Sequence, residues 1–565
     1  MASYPDTSKH DHLPLTYKAN HYKLVLSNIN KDKNTFEGKV SIKFDIIDET
    51  DSIILNQKFL KITKATGNLN ITKTESVVSI KSITNDDVEQ TVIFELDQKI
   101  SKGVFTMDIE FNGIIRKDMC GFYTSSYKDD AGNTNHILTT QFESVDARSA
   151  FPCYDEPNAK AQFEVSLIVE EDEEVLANMP ILSSKTLDDG KKGSSDANRL
   201  KIVTFETTPL MSTYLLAWCI GKFDYIESFT KTTKYQGKPI PIRVYTKPNN
   251  SEQGRFALEM ACKSVDYFSE IFNIDYVLPK LDLLAIPEFG ANAMENFGMV
   301  SFRATALLFD PKTSDSKYQQ KVAYVVAHEL AHQWFGNLVT MNWWNELWLN
   351  EGFATFVGYL AVDKYYPDWN IFTEFVANDI QTALTLDGLK NTHAIEVPIQ
   401  HAYEVDEVFD TISYLKGASV IRMLSSSLGN ETFLKGVANY VNTHKFGNAK
   451  TSDLWNGISE VVGKDVNSLM EPWIKAEGYP YIYVETDDKN EEIKLTQKRF
   501  LSTGSGDSSE GATKWWIPLN LEFSDNNGVK VENETVSTLP ASFDSESINI
   551  PIKLNEIDNY SFFQD

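Results

Sequence analysis

The sequence predicts a multidomain α+β protein in three parts, because its hydrophobic periodicity changes twice along the chain. From Tyr17 onwards, apolar and polar residues alternate in short runs such as Y-K-L-V-L-S and T-V-I-F-E-L, which is typical of half-buried antiparallel strands. From about residue 251 the apolar spacing becomes helical, and after Pro480 the alternation returns. We therefore predict an N-terminal antiparallel β domain, a mainly helical domain and a small C-terminal β-sandwich, over residues 1–224, 225–478 and 479–565.

The charge balance narrows the classes of partner. The chain has 565 residues, with 53 basic and 80 acidic side chains and a formal net charge of −27. That excess of negative charge argues against nucleic acid and anionic membranes as partners. No run of about eighteen apolar residues occurs, so we expect no membrane insertion.

The cysteines indicate a reducing compartment. Cys120, Cys153, Cys219 and Cys262 lie far apart and form no C-x-x-C pair, which favours free thiols, with two disulfides as the alternative. The N-terminal residues lack the apolar core of a signal peptide. We therefore predict a cytoplasmic location.

The stretch from His328 to Glu351 carries the strongest chemical signal. It begins H-E-L-A-H, and a run of helical composition precedes it. On a helix, His328 and His332 lie one turn apart on one face, with Glu329 beside them. Two imidazoles at this spacing can hold one Zn²⁺ and leave Glu329 free to act on a metal-bound water. Glu351 begins a second predicted helix and is the candidate third ligand.

Three further details concern this region. Ser316, with Gln319 three residues later, predicts a capping box at the start of the helix that carries His328. The whole chain has only nine histidines, so a chance occurrence of H-E-x-x-H would be rare. Asn350 and Glu346 are expected to hold the metal ligands in the correct orientation without contacting the metal themselves.

Motifs along the chain resemble those of the aminopeptidase N-like zinc aminopeptidases, a gluzincin family with puromycin-sensitive, alanyl and fungal cytosolic members. The resemblance extends from about Leu15 to the last residue and implies a thermolysin-like catalytic zinc domain over residues 225–478. The colinear motifs include T-Q-F-E-S-V-D-A-R-S-A-F-P-C-Y-D-E-P (140–157), M-S-T-Y-L-L-A-W (211–218), N-A-M-E-N-F-G (292–298), S-Y-L-K-G-A (413–418) and Q-K-R-F-L (497–501).

The resemblance implies a zinc-dependent aminopeptidase that hydrolyses single N-terminal residues from peptides via a zinc-bound water, with one Zn²⁺ per chain. His328, His332 and Glu351 match the zinc ligands of the family, and Glu329 matches its catalytic glutamate, which passes a proton from the water to the leaving amine. Tyr414 matches the tyrosine whose hydroxyl stabilises the oxyanion of the tetrahedral intermediate.

The same resemblance implies how the substrate binds. Glu295 and Glu143 match two carboxylates that bind the free α-amino group, and Gln141 lines the first side-chain pocket. The implied partners are therefore peptides with a free N-terminus. The other implied substrate-binding residues, whose backbone at 291–293 pairs with the substrate like an added strand, are Ala291, Asn292, Ala293 and Met294.

This chain departs from the family at one of these positions. The family usually has glycine where this chain has Asn292. Asparagine tolerates a positive φ better than most residues, so we expect the backbone turn to survive and the substrate channel to narrow.

Typical members of the family continue into a long C-terminal helical domain, and this sequence stops about where that domain begins. Two alternatives to the active enzyme stay open: a zinc-loaded but inactive truncated fragment, and an epoxide hydrolase/aminopeptidase of the leukotriene A4 hydrolase type. The latter usually has G-G-M-E-N, and helices follow its catalytic domain directly, so the predicted β segment after Pro480 counts against it. A thermolysin-like endopeptidase would lack Glu143 and Glu295. The sequence predicts neither the preferred N-terminal residue nor the oligomeric state.

Overall fold

The computed structural model describes residues 12–71, 74–187, 199–487, 492–504, 513–519, 521–524, 542–551 and 559–562. Its secondary structure confirms the predicted multidomain α+β class, with a β-rich N-terminal part followed by a mainly helical part. The division at residues 224 and 478 stays a prediction.

The N-terminal part is built from strands that alternate between buried and exposed side chains. In β2 every second residue is buried, and Gly38 in this strand leaves room for the Phe111 ring, whose nearest atom lies 2.2 Å from where a Cβ would stand. The strands are β1 (Tyr17–Asn30), β2 (Thr35–Ile46), β3 (Thr50–Asn56), β4 (Lys61–Ile71), β5 (Thr74–Val78), β6 (Ile80–Asp86), β7 (Thr91–Ile100), β8 (Gly103–Ile114), β9 (Gly121–Lys128), β10 (Thr134–Gln141), β11 (Gln162–Glu170), β12 (Glu174–Ala177), β13 (Ile181–Leu187), β14 (Leu200–Phe205) and β15 (Trp218–Gly221).

These strands form three sheets. Their orders are β13-β14-β11-β1-β2-β8-β4-β5, β12-β15-β10-β9 and β3-β7-β6. Neighbours run antiparallel as predicted, except that β1 and β11 are parallel. That pair joins strands far apart in the sequence, so no hairpin turn sets their relative direction. The second sheet positions the end of β10, and with it Gln141 and Glu143, towards the helical part.

A five-stranded sheet begins the helical part. It consists of β16 (Asp224–Tyr235), β17 (Lys238–Thr246), β18 (Leu281–Ile286), β19 (Ala293–Met294) and β20 (Met299–Arg303). The order is β16-β17-β18-β20-β19, with β17, β18 and β20 parallel and β19 antiparallel at the edge. The short edge strand β19 therefore has one side that pairs with no other strand in the described part of the chain.

The helices follow this sheet. They are α1 (Arg255–Phe272), α2 (Ala304–Leu307), α3 (Ser316–Ala331), α4 (Trp348–Tyr365), α5 (Ile371–Glu374), α6 (Gln381–Asp387), α7 (Gly417–Leu428), α8 (Asn430–His444), α9 (Thr451–Val462) and α10 (Val466–Lys475), with π-helical turns at Phe375–Ile380 and Ile412–Lys416. The short strands β21 (Thr340–Met341) and β22 (Asn448–Ala449) pair with each other in parallel.

The start of α3 differs from the prediction. The residue that caps the helix is Asp315, whose backbone is extended and whose Oδ1 accepts a hydrogen bond from the Tyr318 backbone N–H at 2.7 Å. Ser316 is already the first helical residue, so the predicted Ser316–Gln319 capping box is wrong. A carboxylate cap also suits the positive end of the helix dipole better than a hydroxyl.

Glycines allow the central helices to approach closely. A Cβ on Gly358 of α4 would lie 3.2 Å from the His328 backbone N in α3. A Cβ on Gly352 would lie 3.2 Å from the Gly417 carbonyl carbon at the start of α7. The helices that carry His328, Glu351 and the turn before α7 are thus held together by backbone contact.

After Pro480 the chain returns to strands. The described strands are β23 (Pro480–Asp487), β24 (Glu492–Arg499), β25 (Ile517–Pro518), β26 (Leu521–Ser524), β27 (Ser542–Phe543), β28 (Ser547–Pro551) and β29 (Asn559–Phe562). They form the sheet β23-β24-β28 and the pairs β25–β27 and β26–β29. Much of the predicted sandwich lies outside the described residues. Trp473 Nε1 donates to the Trp516 carbonyl at 2.7 Å, which ties this part to α10.

Two further features bear on the sequence analysis. All four cysteines are free, and Cys153, Cys219 and Cys262 are buried while Cys120 is half-buried. In the described part of the chain, no helix combines the length and apolar character needed to cross a bilayer.

Candidate active site

A cavity of about 680 Å³ lies where α3, α4, β19, the turn before α7 and the segment after β10 meet. All of the predicted metal-ligating, catalytic and substrate-binding residues border it except Met294. Those that line it are Gln141, Glu143, Ala291, Asn292, Ala293, Glu295, His328, Glu329, His332, Glu351 and Tyr414. Residues from the β-rich part and from the helical part therefore share one site.

The three candidate metal ligands converge at the base of this cavity. His328 Nε2 and His332 Nε2 are 3.1 Å apart, and Glu351 Oε2 lies 3.4 Å from each of them. A tetrahedral Zn²⁺ about 2.1 Å from each donor would separate the donors by about 3.4 Å. The three side chains thus fit a zinc ion in donor type and in spacing.

The surrounding backbone sets the orientation of these ligands. His332 Nδ1 donates to the Phe335 carbonyl at 3.0 Å, which leaves the Nε2 lone pair for a metal. Asn350, which precedes Glu351, donates from Nδ2 to the Tyr214 hydroxyl at 3.3 Å, and its role in orienting the ligands stays a prediction. Glu346 makes no hydrogen bond to the ligand side chains in the described part of the chain. Its Oε1 accepts from the Thr451 backbone N–H at 2.7 Å.

The electrostatics of the site favour a cation. Burial lowers the pKa of His328, which keeps its imidazole neutral as a metal ligand requires. Burial opposes a charge on His332, yet the Glu295 and Glu351 carboxylates raise its pKa well above the ordinary value. Burial likewise opposes a charge on Glu351, yet the His332 and His328 imidazoles lower its pKa to about 2. The carboxylates around the two imidazoles thus stabilise positive charge at this place, and a metal cation would supply such a charge.

Glu329 and Tyr414 face the same space from two elements. Glu329 follows His328 on α3 and is 6% exposed. Tyr414 lies in the π-helical turn Ile412–Lys416, with its ring 6.2 Å from that of His328. The Asp410 carboxylate accepts from the backbone N–H groups of Ile412 and Ser413, at 3.0 and 3.1 Å. Burial raises the pKa of Tyr414 well above its ordinary value, so its hydroxyl remains a proton donor.

Glu143 and Glu295 provide unpaired hydrogen-bond acceptors in the cavity. Glu295 is buried and Glu143 is half-buried, and each has a buried Oε1 atom with no hydrogen-bond donor among the described residues. Burial raises the pKa of both carboxyls, and mutual repulsion adds to that of Glu143. Gln333 Nε2 and Asn337 Nδ2 hold the Glu295 carbonyl, at 3.0 and 2.8 Å. Two buried acceptors without donors indicate a place for a ligand that carries N–H groups.

The predicted backbone strip lies at the edge of the five-stranded sheet. Ala293 pairs with Phe302, and the Asn292 carbonyl accepts from the Arg303 N–H at 2.8 Å. The backbone of Asn292 is not left-handed, so this position needs no glycine-like conformation. Met294 does not line the cavity, because successive side chains of a strand point to opposite faces and that of Met294 is buried in the core.

The structure adds residues that the sequence analysis missed. Ser144 Oγ donates to Asp406 Oδ1 at 3.0 Å, and this pair borders the cavity. Phe409 also lines it, but nothing in the local sequence pattern of 401–410 points to a site. Tyr324 and Val325 lie on α3, and Tyr324 could have been found because it precedes His328 by one helical turn.

A β-rich part in front of a helical part that carries a two-histidine, one-carboxylate centre places the chain in the gluzincin class of metallopeptidases. The comparison with known families agrees with this class for both the β-rich part and the helical part of the chain. Residues 18–215 match the Peptidase M1 N-terminal domain and residues 256–473 match the Peptidase family M1 domain. The chain belongs to peptidase family M1, which confirms the resemblance found from its motifs.

Similar proteins from plants and yeasts carry aminopeptidase names. The chain is 44% identical to Aminopeptidase M1 of Arabidopsis thaliana over 487 residues, which are 86% of this chain and 53% of the relative. It is 42% identical to Aminopeptidase 2 of Candida albicans over 544 residues, 95% of this chain and 56% of the relative. It is 42% identical to Alanine/arginine aminopeptidase of Saccharomyces cerevisiae over 521 residues, 92% and 58% respectively. The chain spans about half the length of these curated relatives.

Proposed function

We propose that this chain is a zinc-dependent aminopeptidase that releases single N-terminal residues from peptides. The observation that carries the proposal is the pair of buried, donor-free carboxylate oxygens of Glu143 and Glu295 beside the candidate metal ligands. An α-ammonium group offers the N–H donors that these two oxygens lack. Binding it there places the first peptide bond, and no later one, next to the metal centre.

His328, His332 and Glu351 would hold one Zn²⁺ per chain, because their donor atoms have the type and spacing that the ion takes. When bound, zinc supplies Lewis-acid polarisation of the scissile carbonyl and makes water a stronger acid. The buried ligand set needs only one additional donor to complete four-coordination.

The residues around these ligands perform the remaining steps. Glu329 accepts a proton from the attacking water and later gives it to the leaving amine. The Tyr414 hydroxyl donates a hydrogen bond to the oxygen that becomes negative in the transition state. The free side of β19 aligns the substrate backbone as an additional strand, and Gln141 borders the space for the first side chain.

The observations favour this function over the alternatives. The sheet β23-β24-β28 follows the helical part, which supports an aminopeptidase N-like chain over the leukotriene A4 hydrolase type. The metal ligands, Glu329 and Tyr414 all border one cavity, which supports an active enzyme over an inactive fragment. The name of the yeast relative makes alanine and arginine the first N-terminal residues to test. The cytoplasmic location stays a prediction.

Hydrolysis of a panel of aminoacyl chromogenic amides by the 565-residue chain tests the proposal. Glu329→Gln should lower kcat by at least about 100-fold, because it removes the proton acceptor but keeps the shape of the side chain. An N-acetylated substrate, which lacks the ammonium group, should not be cleaved by the unaltered chain. Absence of turnover with one zinc bound per chain would instead support the inactive fragment.

A further inference from the structure

A second cavity adjoins the candidate active site. Its volume is about 760 Å³, and the start of α3, the segment around α5 and Leu415 surround it. Tyr324 lines both cavities, so the two cavities are neighbours with this side chain between them. The Tyr324 ring lies 4.6 Å from that of Tyr359, and the two rings form an aromatic wall of the second cavity.

One face of α3 connects the two cavities. The residues His332, His328, Tyr324, Lys321 and Lys317 are spaced by three or four positions, so they share this face. A helix rises about 1.5 Å per residue, which puts Lys321 about 10 Å and Lys317 about 16 Å from the level of His328.

The amine anchor sets the direction of a bound peptide along this face. Glu295 Oε1 lies 3.8 Å from His332 Nδ1, at the C-terminal end of α3. The ammonium group therefore sits at that end, the scissile bond lies near His328, and the remaining residues run towards the start of the helix. An extended chain covers about 3.4 Å per residue, so three residues after the scissile bond reach the level of Lys321.

Two lysines and three carboxylates line the second cavity. Lys317 and Lys321 are exposed, and neither has an ion-pair partner in the portion of the chain that the structure describes. The three carboxylates keep their charges, but each is held by a hydrogen bond to another residue, and none forms an ion pair with either lysine among the described residues. Asp315 accepts from the Tyr318 N–H at 2.7 Å, Glu374 from Asn378 Nδ2 at 2.6 Å, and Asp379 from the Tyr359 hydroxyl at 2.6 Å.

We propose that the second cavity binds the C-terminal portion of the substrate and that Lys321 pairs with the free α-carboxylate of a tetrapeptide. The inference rests on the proposed aminopeptidase function and adds a substrate class, namely short peptides with a free C-terminus. Lys317, one turn further along, meets the carboxylate of peptides about two residues longer. The aromatic wall of Tyr324 and Tyr359 packs against the intervening side chains.

Paired substrates that differ only at the C-terminus test this proposal. We expect kcat/KM for tetra-alanine with a free carboxylate to exceed that for its C-terminal amide by about threefold, the modest gain of an exposed ion pair. Lys321→Gln should reduce this ratio to about one. Lys312→Gln, at an exposed lysine outside the cavity lining, should retain the threefold ratio.

The outcomes separate this inference from the proposed function. A ratio of one in the unaltered chain, or a ratio that Lys321→Gln does not change, overturns the inference while hydrolysis of aminoacyl amides stands. If the chain hydrolyses no aminoacyl amide, the proposed function fails. The inference is then decided by titration calorimetry of the Glu329→Gln protein with the two tetrapeptides, where equal dissociation constants overturn it.

Discussion

Glu143 and Glu295 lower the stability of the folded protein, because each has a buried oxygen atom without a hydrogen-bond donor. A buried acceptor without a donor destabilises a protein by about 1–3 kcal/mol. The Oε1 atoms of both residues are in this position, and each carboxyl also has a raised pKa because of burial. An ammonium ligand would donate hydrogen bonds to the unpaired oxygens and would also balance the buried carboxylate charge. The site therefore favours a positively charged ligand.

The amine anchor leads to the first prediction. Glu295→Gln keeps the size of the side chain but removes its charge, so KM for an alanyl amide should rise about 10- to 100-fold, the value of a charged hydrogen bond. The zinc content should stay the same, because Glu295 is not among the proposed ligands. Steady-state kinetics and metal analysis of the purified protein measure both quantities. Glu252→Gln, on the exposed surface, is the control, and an unchanged KM in Glu295→Gln would reject the anchor.

The elements of the site depend on close helix contacts. Gly352 of α4 lies one residue after Glu351, and Gly417 begins α7 three residues after Tyr414. Because these two glycines meet at backbone distance, the spacing of α4 and α7 also sets the distance between a metal ligand and the proposed oxyanion donor.

Enlarging Gly352 should therefore separate the two elements. In Gly352→Ala the added methyl lies 3.2 Å from the Gly417 carbonyl carbon, which is too close for an unstrained contact. We expect a loss of about 1–3 kcal/mol in the free energy of unfolding, together with a lower kcat, because Tyr414 moves. Urea unfolding and kinetics measure these effects. Ser426→Ala on the exposed face of α7 should change neither, and full stability in Gly352→Ala would contradict this packing.

Glu346 connects the segment before α4 to the start of α9 and makes stability depend on pH. Burial raises its pKa to about 8 from an ordinary 4.5, although the Thr451 N–H opposes the shift. An acid with a raised folded-state pKa binds its proton more tightly in the folded protein. Its contribution to stability is therefore lost as the pH rises from the ordinary value through about 8.

Glu346→Gln should cancel this loss. Glutamine keeps a carbonyl acceptor for the Thr451 N–H and carries no charge at any pH. Relative to the unaltered protein, the variant should gain roughly 3 kcal/mol in the free energy of unfolding between about pH 5 and about pH 8. Thermal or urea unfolding at both pH values measures the difference. Glu431→Gln, on the exposed side of α8, should show no such pH dependence, and parallel profiles for Glu346→Gln would refute the assignment.

At the level of elements, periodicity predicted much of the architecture. The alternation from Tyr17 and the helical spacing around His328 both correspond to observed strands and helices, since these patterns record which side of an element is buried. The capping residue of α3 was missed because Asp315 and Ser316 are both competent caps and only the backbone conformation separates them.

At the level of the whole molecule, the site is assembled across two parts of the chain. Tyr214, from the β-rich part, donates its hydroxyl to the Gly336 carbonyl at 3.2 Å and accepts from Asn350 Nδ2 at 3.3 Å. Gly336 belongs to the turn that follows His332, and Asn350 precedes Glu351. The N-terminal part therefore contacts both sides of the metal-ligand set.

Tyr214→Phe removes these two hydrogen bonds and keeps the ring, which packs 5.4 Å from that of Trp344. We expect the Kd for zinc to rise about tenfold, as is typical when a group that supports a metal ligand is lost. Competition with a chromogenic chelator measures this affinity. Tyr225→Phe, at a tyrosine that is 53% exposed, serves as the control. Equal zinc affinities in the two variants would show that Tyr214 only packs.

Contacts between residues that are far apart in the sequence could not be predicted from the sequence pattern. His328, Glu329 and His332 are near each other in sequence, so helical geometry alone brings them together. Ser144 and Asp406 are 262 residues apart and meet only after the two parts of the chain have docked. Glu143 and Glu295 were found through the family resemblance and not through local pattern, for the same reason.

The four free cysteines differ in a way that has a practical consequence. Burial raises the pKa of Cys120 and Cys262 to about 11 and that of Cys219 to about 12, and it also raises the pKa of Cys153 well above its ordinary value. Of the four, only Cys120 is half-buried. Alkylating dyes react with accessible thiolates, so mildly alkaline labelling should favour Cys120. Its neighbour Met119 lies against Gly290 at the rim of the active-site cavity. A single native thiol thus offers a place for a fluorophore that reports peptide occupancy without an engineered cysteine.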